Sequence, residues 1–238
     1  MKTSVLAFSS SRVGNGAYLE TSAPLINKFL GNATLNIAFI PFASVGDHEA
    51  YANNVRAALT ALPYTIEMVN QNNAAKVIEN ADVIMVGGGN TFKLLHDIYD
   101  MQLMEPVKQK VNSGTPYIGW SAGSNIAGKT IRTSNDMPII NPGTFDALGF
   151  LPFQVNPHYY NQPIVGFNGE TRDQRLAEFL QLNPAELVVA LPEGSALLMK
   201  GGRLQLAGTG NAFVKSWSND GPAQKELSAG EDLSYLLK

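Results

Sequence analysis

The 238-residue chain is predicted to adopt a doubly wound α/β fold, with a mostly parallel sheet followed by a β-rich carboxyl-terminal part. Three observations lead there. The first two-thirds alternate short, wholly apolar runs with amphipathic stretches, the pattern of parallel strands covered on both faces by helices. Glycine-rich segments, Gly87-Gly88-Gly89 and Gly119 to Gly123, follow or close two of those runs, and in such folds sites gather at the carboxyl ends of strands. The last third turns to short β-like runs separated by turn residues.

The elements follow in order. The first strand is read at Val5–Ser9. The amino terminus looks superficially like a signal peptide, but its apolar core, Val5 to Phe8, is too short for an h-region. A helix is expected over Ala17–Phe29 and a strand over Ile37–Pro41. In His48–Leu62, apolar Tyr51, Val55, Ala58, Leu59 and Leu62 recur at three- and four-residue spacing, so one helical face is buried. Strands at Thr65–Val69, Val83–Val86 and Tyr117–Trp120 are separated by helices at Ala74–Asn80, Thr91–Tyr99 and Leu103–Asn112. A short strand closes on Asn156-Pro157-His158. A helix over Thr171–Leu182 leads into a strand at Leu187–Leu191. Ala196–Met199, Leu204–Leu206 and Phe213–Lys215 complete the order, with Gly201-Gly202 as a hairpin turn. No linker, repeat or low-complexity tract interrupts the chain, so residues 1–238 are expected to form one domain.

Composition narrows the function. Hydrophobic residues make up 45% and charged ones 16%, with a net charge of −3, an ordinary globular balance without the basic excess of a nucleic-acid binder. The absence of cysteine excludes disulfides, thiolate metal sites and a cysteine nucleophile. No window approaches the roughly 20 apolar residues of a membrane span. A soluble, cytoplasmic protein is expected.

The chemistry starts at Gly119-Trp120-Ser121-Ala122-Gly123, a G-x-S-x-G segment directly after an apolar run. On a tight strand-to-helix elbow a serine hydroxyl is exposed, and flanking glycines let backbone and substrate approach. The alternative is a glycine-rich turn after a buried strand. An activated serine needs a base, and the chain has three histidines. His96 sits within a helical pattern, where packing explains it. His48, in Asp47-His48-Glu49, lies at a helix start that capping acids explain better than a metal. His158 emerges at a strand end behind Pro157, where an α/β base belongs. Glu193, between Pro192 and Gly194 after another strand, is the candidate orienting carboxylate, with Asp136 its rival. The order Ser121, His158, Glu193 argues against the α/β-hydrolase fold, which places the acid before the histidine. Gly87-Gly88-Gly89-Asn90 lacks the third glycine of a dinucleotide loop and the lysine of a P-loop. It suits an oxyanion hole instead, with Gly89 and Ala122 as donors, and Asn90 is assigned to substrate binding. Arg172, three residues before Arg175 at a helix start, either joins local ion pairs or binds a substrate carboxylate through its planar fork.

These residues together resemble the peptidase E family of bacterial α-aspartyl dipeptidases along nearly the whole chain. The resemblance is carried by Ile40-Pro41-Phe42-Ala43, Val86 to Phe92, Tyr117 to Gly123 and Ile131-Arg132-Thr133 with Asn135 to Ile139. Asn156-Pro157-His158, Gly169 to Arg175 and Leu191-Pro192-Glu193-Gly194 complete it. It implies a serine peptidase that cleaves dipeptides with an N-terminal aspartate, on a fold like the class I glutamine amidotransferases, which are flavodoxin-like, with serine in place of their cysteine. The family's nucleophile falls on Ser121, its base on His158 and its triad acid on Glu193, Asp136 being a rival within the family too. The arginine that holds the substrate aspartate falls on Arg172. The chain departs from close relatives at Ser195-Ala196 and in its carboxyl-terminal tail, changes that bear on the pocket rim. No metal or organic cofactor is expected. The expected partner is a small Asp-X peptide, with no nucleic acid or membrane, and the expected state a monomer or small homo-oligomer. Two other readings remain: a cyanophycinase-like peptidase acting on β-linked Asp-Arg, and a non-catalytic protein that binds acidic metabolites.

Overall fold

The computed structural model describes residues 3–162, 166 and 168–238; Met1-Lys2, at the head of the amino-terminal segment read above, lie outside them. In chain order the elements are β1 (Val5–Phe8), α1 (Ala23–Leu30), β2 (Leu35–Ile40), α2 (His48–Ala58), β3 (Tyr64–Met68), α3 (Ala74–Asn80), β4 (Val83–Val86), α4 (Thr91–Asp100), α5 (Met104–Asn112) and β5 (Tyr117–Trp120). There follow α6 (Ala122–Asn125), β6 (Gln154–Asn156), α7 (Arg172–Leu182), β7 (Val188–Ala190), β8 (Ser195–Lys200), β9 (Arg203–Gly208), β10 (Ala212–Ser218), β11 (Gly221–Leu227) and a closing 3₁₀ turn, Ser234–Leu237.

The main sheet runs β3-β2-β4-β5-β1-β8-β9. Its first five strands are parallel, and β8 and β9 add antiparallel at the far edge. Strand periodicity divides its core in two. Val5, Ala7, Ala38, Ile40, Ile84 and Val86 face α3, α4 and α5. Leu6, Phe8, Ile37, Phe39, Val83 and Met85 face the other way, against Ile26 and Phe29 of α1 and Ala52 and Val55 of α2. Successive residues of one strand therefore feed opposite helical layers, the arrangement that demands wholly apolar strands. Each of these side chains larger than alanine contributes roughly 1.5–3 kcal/mol of burial.

The β-rich part is divided between two sheets. β8 and β9 join the main sheet through the turn at Gly201 and Gly202, both at positive φ. β7, β10 and β11 combine with β6 into a second sheet ordered β11-β10-β7-β6, against which α7 packs Leu176 and Leu180.

One reading of the elements is corrected, and one strand goes unread in the sequence. Helix Ala17–Phe29 begins only at Ala23: Leu19 stands at φ 56, outside helical space for an ordinary side chain, and Pro24 lies in the first turn, where proline is tolerated. Strand β11 carries a mostly exposed run from Pro222 to Glu226, a polar edge without the apolar alternation that marks a strand in sequence. Among the described residues, no helix is long and apolar enough to cross a membrane.

Candidate active site

The chain turns sharply at the end of β5. Ser121 adopts φ 53 and ψ −115, a conformation costing about 1–3 kcal/mol unless neighbouring contacts enforce it. Those contacts are present. Ser121 N–H donates to Phe8 O at 3.2 Å. The Ser124 hydroxyl lies 2.6 Å from Phe8 O and 2.9 Å from Gly119 O, and Tyr117 donates to Gly123 O at 2.6 Å. The two glycines of the motif are packing requirements. A Cβ at Gly119 would sit 2.5 Å from Gly123 O, and one at Gly123 would run into the Val86 carbonyl. Ala122 is the first residue of α6, so its N–H has no intrahelical acceptor.

The end of β1 brings the other groups alongside. Phe8 O holds the serine elbow, and the next side chain, Ser9, is fully buried. Ser9 Oγ accepts from His158 N–H at 2.9 Å and donates to Leu191 O at 2.7 Å. Tyr159 N–H also reaches Leu191 O, while Leu191 N–H reaches Asn156 O, so the ends of β6 and β7 are stitched together. His158 stands at φ 51, and its Nδ1 lies 3.0 Å from Glu193 Oε1. With 43% and 50% of these side chains exposed, solvent screens the charge, and the contact acts mainly by orienting the ring. Ser121 Oγ makes no hydrogen bond among the described residues.

Asp136, the rival carboxylate, is engaged elsewhere. Its Oδ2 accepts from Thr91 N–H at 2.7 Å and Thr91 Oγ1 at 2.5 Å, anchoring the start of α4. Asn90 is that helix's N-cap: its Oδ1 accepts from Lys93 N–H at 3.0 Å, and its Nδ2 donates to Met137 O at 2.9 Å. The Asn90 amide thus ties the 136–140 loop to the glycine turn through one N–H and one lone pair. Gly88 lies against the elbow, where a Cβ would come 2.9 Å from Ser121 Cβ. Gly89, at φ 140, passes so close to the Ala43 carbonyl that no side chain fits, and its N–H donates to no protein acceptor among the described residues.

Arg172 opens α7 behind a Thr171–Gln174 capping box. It forms no ion pair among the described residues, whereas Arg175 lies 3.9 Å from Glu170. Burial and the neighbouring Arg175 lower the Arg172 pKa, opposed by Asp136 and Tyr159; the guanidinium remains a cation. His48 starts α2, where Asp47 supplies the cap, and its Nε2 contacts Ser44 O. His96 pairs with Asp97 on α4. Neither joins Ser121. Among the described residues no cluster of three or more His, Cys, Asp or Glu side chains is arranged to hold a metal ion.

Sequence reasoning missed Ser9, whose only signal is a small hydroxyl at the end of an apolar strand. It also missed a hub behind His158. Asp173 accepts from Tyr159 at 2.6 Å and Asn161 at 2.8 Å and pairs with buried Lys215, binding the segment after His158 to the start of α7. A cavity of about 290 Å³ lies beside that pair, lined by Ala177, Leu180, Pro222 and Ala223.

The model of Peptidase family S51 matches residues 5–207. Peptidase E of Shewanella amazonensis is 46% identical over 240 residues covering both chains entirely. Peptidase E of a Nostoc species is 41% identical over all of this chain and 97% of its own. Among solved structures, a putative peptidase E protein from Listeria monocytogenes superposes with a TM-score of 0.68 at 22% identity, covering 87% of this chain and 99% of that one. A peptidase from an acI-B1 Actinobacterium gives 0.71 at 18% identity over 97% and 96%.

Proposed function

Since the chain belongs to peptidase family S51 and is a serine-type peptidase acting on small peptides, we propose that it hydrolyses dipeptides with an N-terminal aspartate through Ser121, His158 and Glu193. His158 Nε2 takes the Ser121 proton as Oγ attacks the aspartyl carbonyl. Glu193 accepts a hydrogen bond from Nδ1–H, without taking the proton, and stabilises the imidazolium. The Gly89 and Ala122 N–H groups receive the oxyanion, a contribution of roughly 3 kcal/mol for each such donor. The C–N bond then breaks as His158 protonates the leaving amine. Water, deprotonated by the same imidazole, releases aspartate and restores the serine.

The observation that carries this reading is the His158–Glu193 contact on the β1 end that also holds the serine elbow. Asp136 supports it from the other side, since its hydrogen bonds go to Thr91 and Ser134. Arg172, a half-buried cation, supplies aspartate preference: a neutral asparagine side chain at that position would leave the guanidinium without its charge partner. Asn90 holds the turn that carries Gly89 and offers its second amide N–H to the substrate.

The decisive assay compares Asp-Leu, Asn-Leu and β-Asp-Arg. Asp-Leu is expected to be cleaved in preference, and Ser121→Ala to abolish turnover. Arg172→Ala is expected to level Asp-Leu with Asn-Leu. Preferred cleavage of β-Asp-Arg would point to the cyanophycinase-like activity, and undiminished hydrolysis by Ser121→Ala would end the serine mechanism.

A further inference from the structure

We infer that Tyr51 and Trp120 form a lock that fixes the direction of the Gly89 N–H, making both positioning residues for the oxyanion site; this rests on the reading that Gly89 is one of its donors. The Gly88 carbonyl and the Gly89 N–H belong to one peptide unit, planar and trans, so they point in opposite directions. The Tyr51 hydroxyl donates to Gly88 O at 3.1 Å. Drawing that carbonyl toward α2 turns the Gly89 N–H away from it.

A phenol has one proton to give. Trp120 Nε1–H donates to the Tyr51 oxygen at 3.1 Å; the indole can only donate, so Tyr51 accepts there and turns its own proton to Gly88 O, with the Tyr18 ring edge-on at 6.5 Å as its other neighbour. The ring is held as well. Tyr51 packs edge-on to Phe39 at 5.2 Å, and Phe39 stacks on Trp120 at 6.0 Å. Gly87 makes room for it, since a Cβ there would lie 2.5 Å from the Tyr51 hydroxyl. Burial raises the Tyr51 pKa, so the phenol remains a donor at neutral pH. Without the lock, consecutive glycines offer little resistance to rotation of their shared peptide. Trp120 immediately precedes Ser121, so the strand end that exposes the nucleophile also sets the direction of a donor facing it.

The test is Tyr51→Phe, which keeps the ring and removes the hydroxyl, with Trp120→Phe as the second variant. Active enzyme is counted by labelling with a small fluorophosphonate. Tyr51→Phe is expected to lower kcat on Asp-Leu about tenfold with KM within about twofold, less than the 10²–10³ that follows loss of a donor outright. Trp120→Phe is expected to act in the same direction, and the double variant to lose no more than Tyr51→Phe alone. An unchanged kcat, or a loss confined to KM, overturns the lock. A second readout needs no substrate. In a spectrum of protein labelled with ¹⁵N-glycine, Tyr51→Phe is expected to shift or double the Gly89 amide resonance, and one unmoved resonance overturns the lock. Should the wild-type protein leave Asp-Leu uncut, the functional reading fails while the spectrum still decides the lock.

Discussion

At the scale of single residues, the candidate site depends on side chains whose partners are already chosen. Glu193 and Asp136 are both acids near strand or loop ends, and sequence could not separate them. Their hydrogen bonds differ: Glu193 meets the imidazole, while Asp136 secures the start of α4. Glu193→Gln is therefore expected to lower kcat by about 10² or more with little change in melting temperature, as loss of an orienting carboxylate does. Asp136→Asn is expected to act mainly on stability, by about 1 kcal/mol, as altered helix caps do. Steady-state kinetics and denaturant titration of both variants check this, and the opposite pattern would move the acid to Asp136. Ser9 was illegible for a different reason. Its importance lies in meeting His158 and Leu191, residues 149 and 182 positions away, and no local pattern records such a meeting.

At the scale of elements, legibility followed periodicity. Helix α3 and strands β4 and β5 sit where their apolar spacing placed them. Polar β11 and the coiled approach to α1 did not announce themselves, because edge position and positive φ are set by neighbours. The G-x-S-x-G segment was recognised as a turn signal, but its two glycines turn out to be contact surfaces: α6 lies directly on the carbonyl end of β4. Gly123→Ala is expected to push α6 outward, costing about 1–3 kcal/mol and most of the activity. Gly46→Ala, where a Cβ would have ordinary clearance of 3.7 Å, serves as the near-neutral control. Thermal melts of the pair measure the difference, and equal melting temperatures would refute the packing account.

At the scale of the whole molecule, the fold class was legible because it depends on average patterning. The division of the last strands between two sheets was not, because it depends on which edges remain open. Burial leaves a global signature in the phenols. It raises the pKa of Tyr18, Tyr51, Tyr64, Tyr99, Tyr117 and Tyr159. Each native phenol then holds its proton at a pH where the unfolded chain releases it, so the native state binds more protons and stability falls as pH rises. Stability from these groups is expected to be constant below pH about 10 and to decline above it. Denaturant midpoints across that range, read beside tyrosinate absorbance, check the sign. Tyrosines that all ionise near pH 10 in the native protein would contradict it.

The position of β1 has a consequence in time. The first strand of this sequence, it lies between β5 and β8; its end holds Ser121 and His158, and Glu193 meets His158. A ribosome-bound chain that has not yet released β8 has an open edge on β1 and no Glu193 for His158 to meet. With Glu193 as the proposed orienting acid, hydrolytic competence is expected only after β7 and the turn carrying Glu193 have emerged, well after the serine elbow itself.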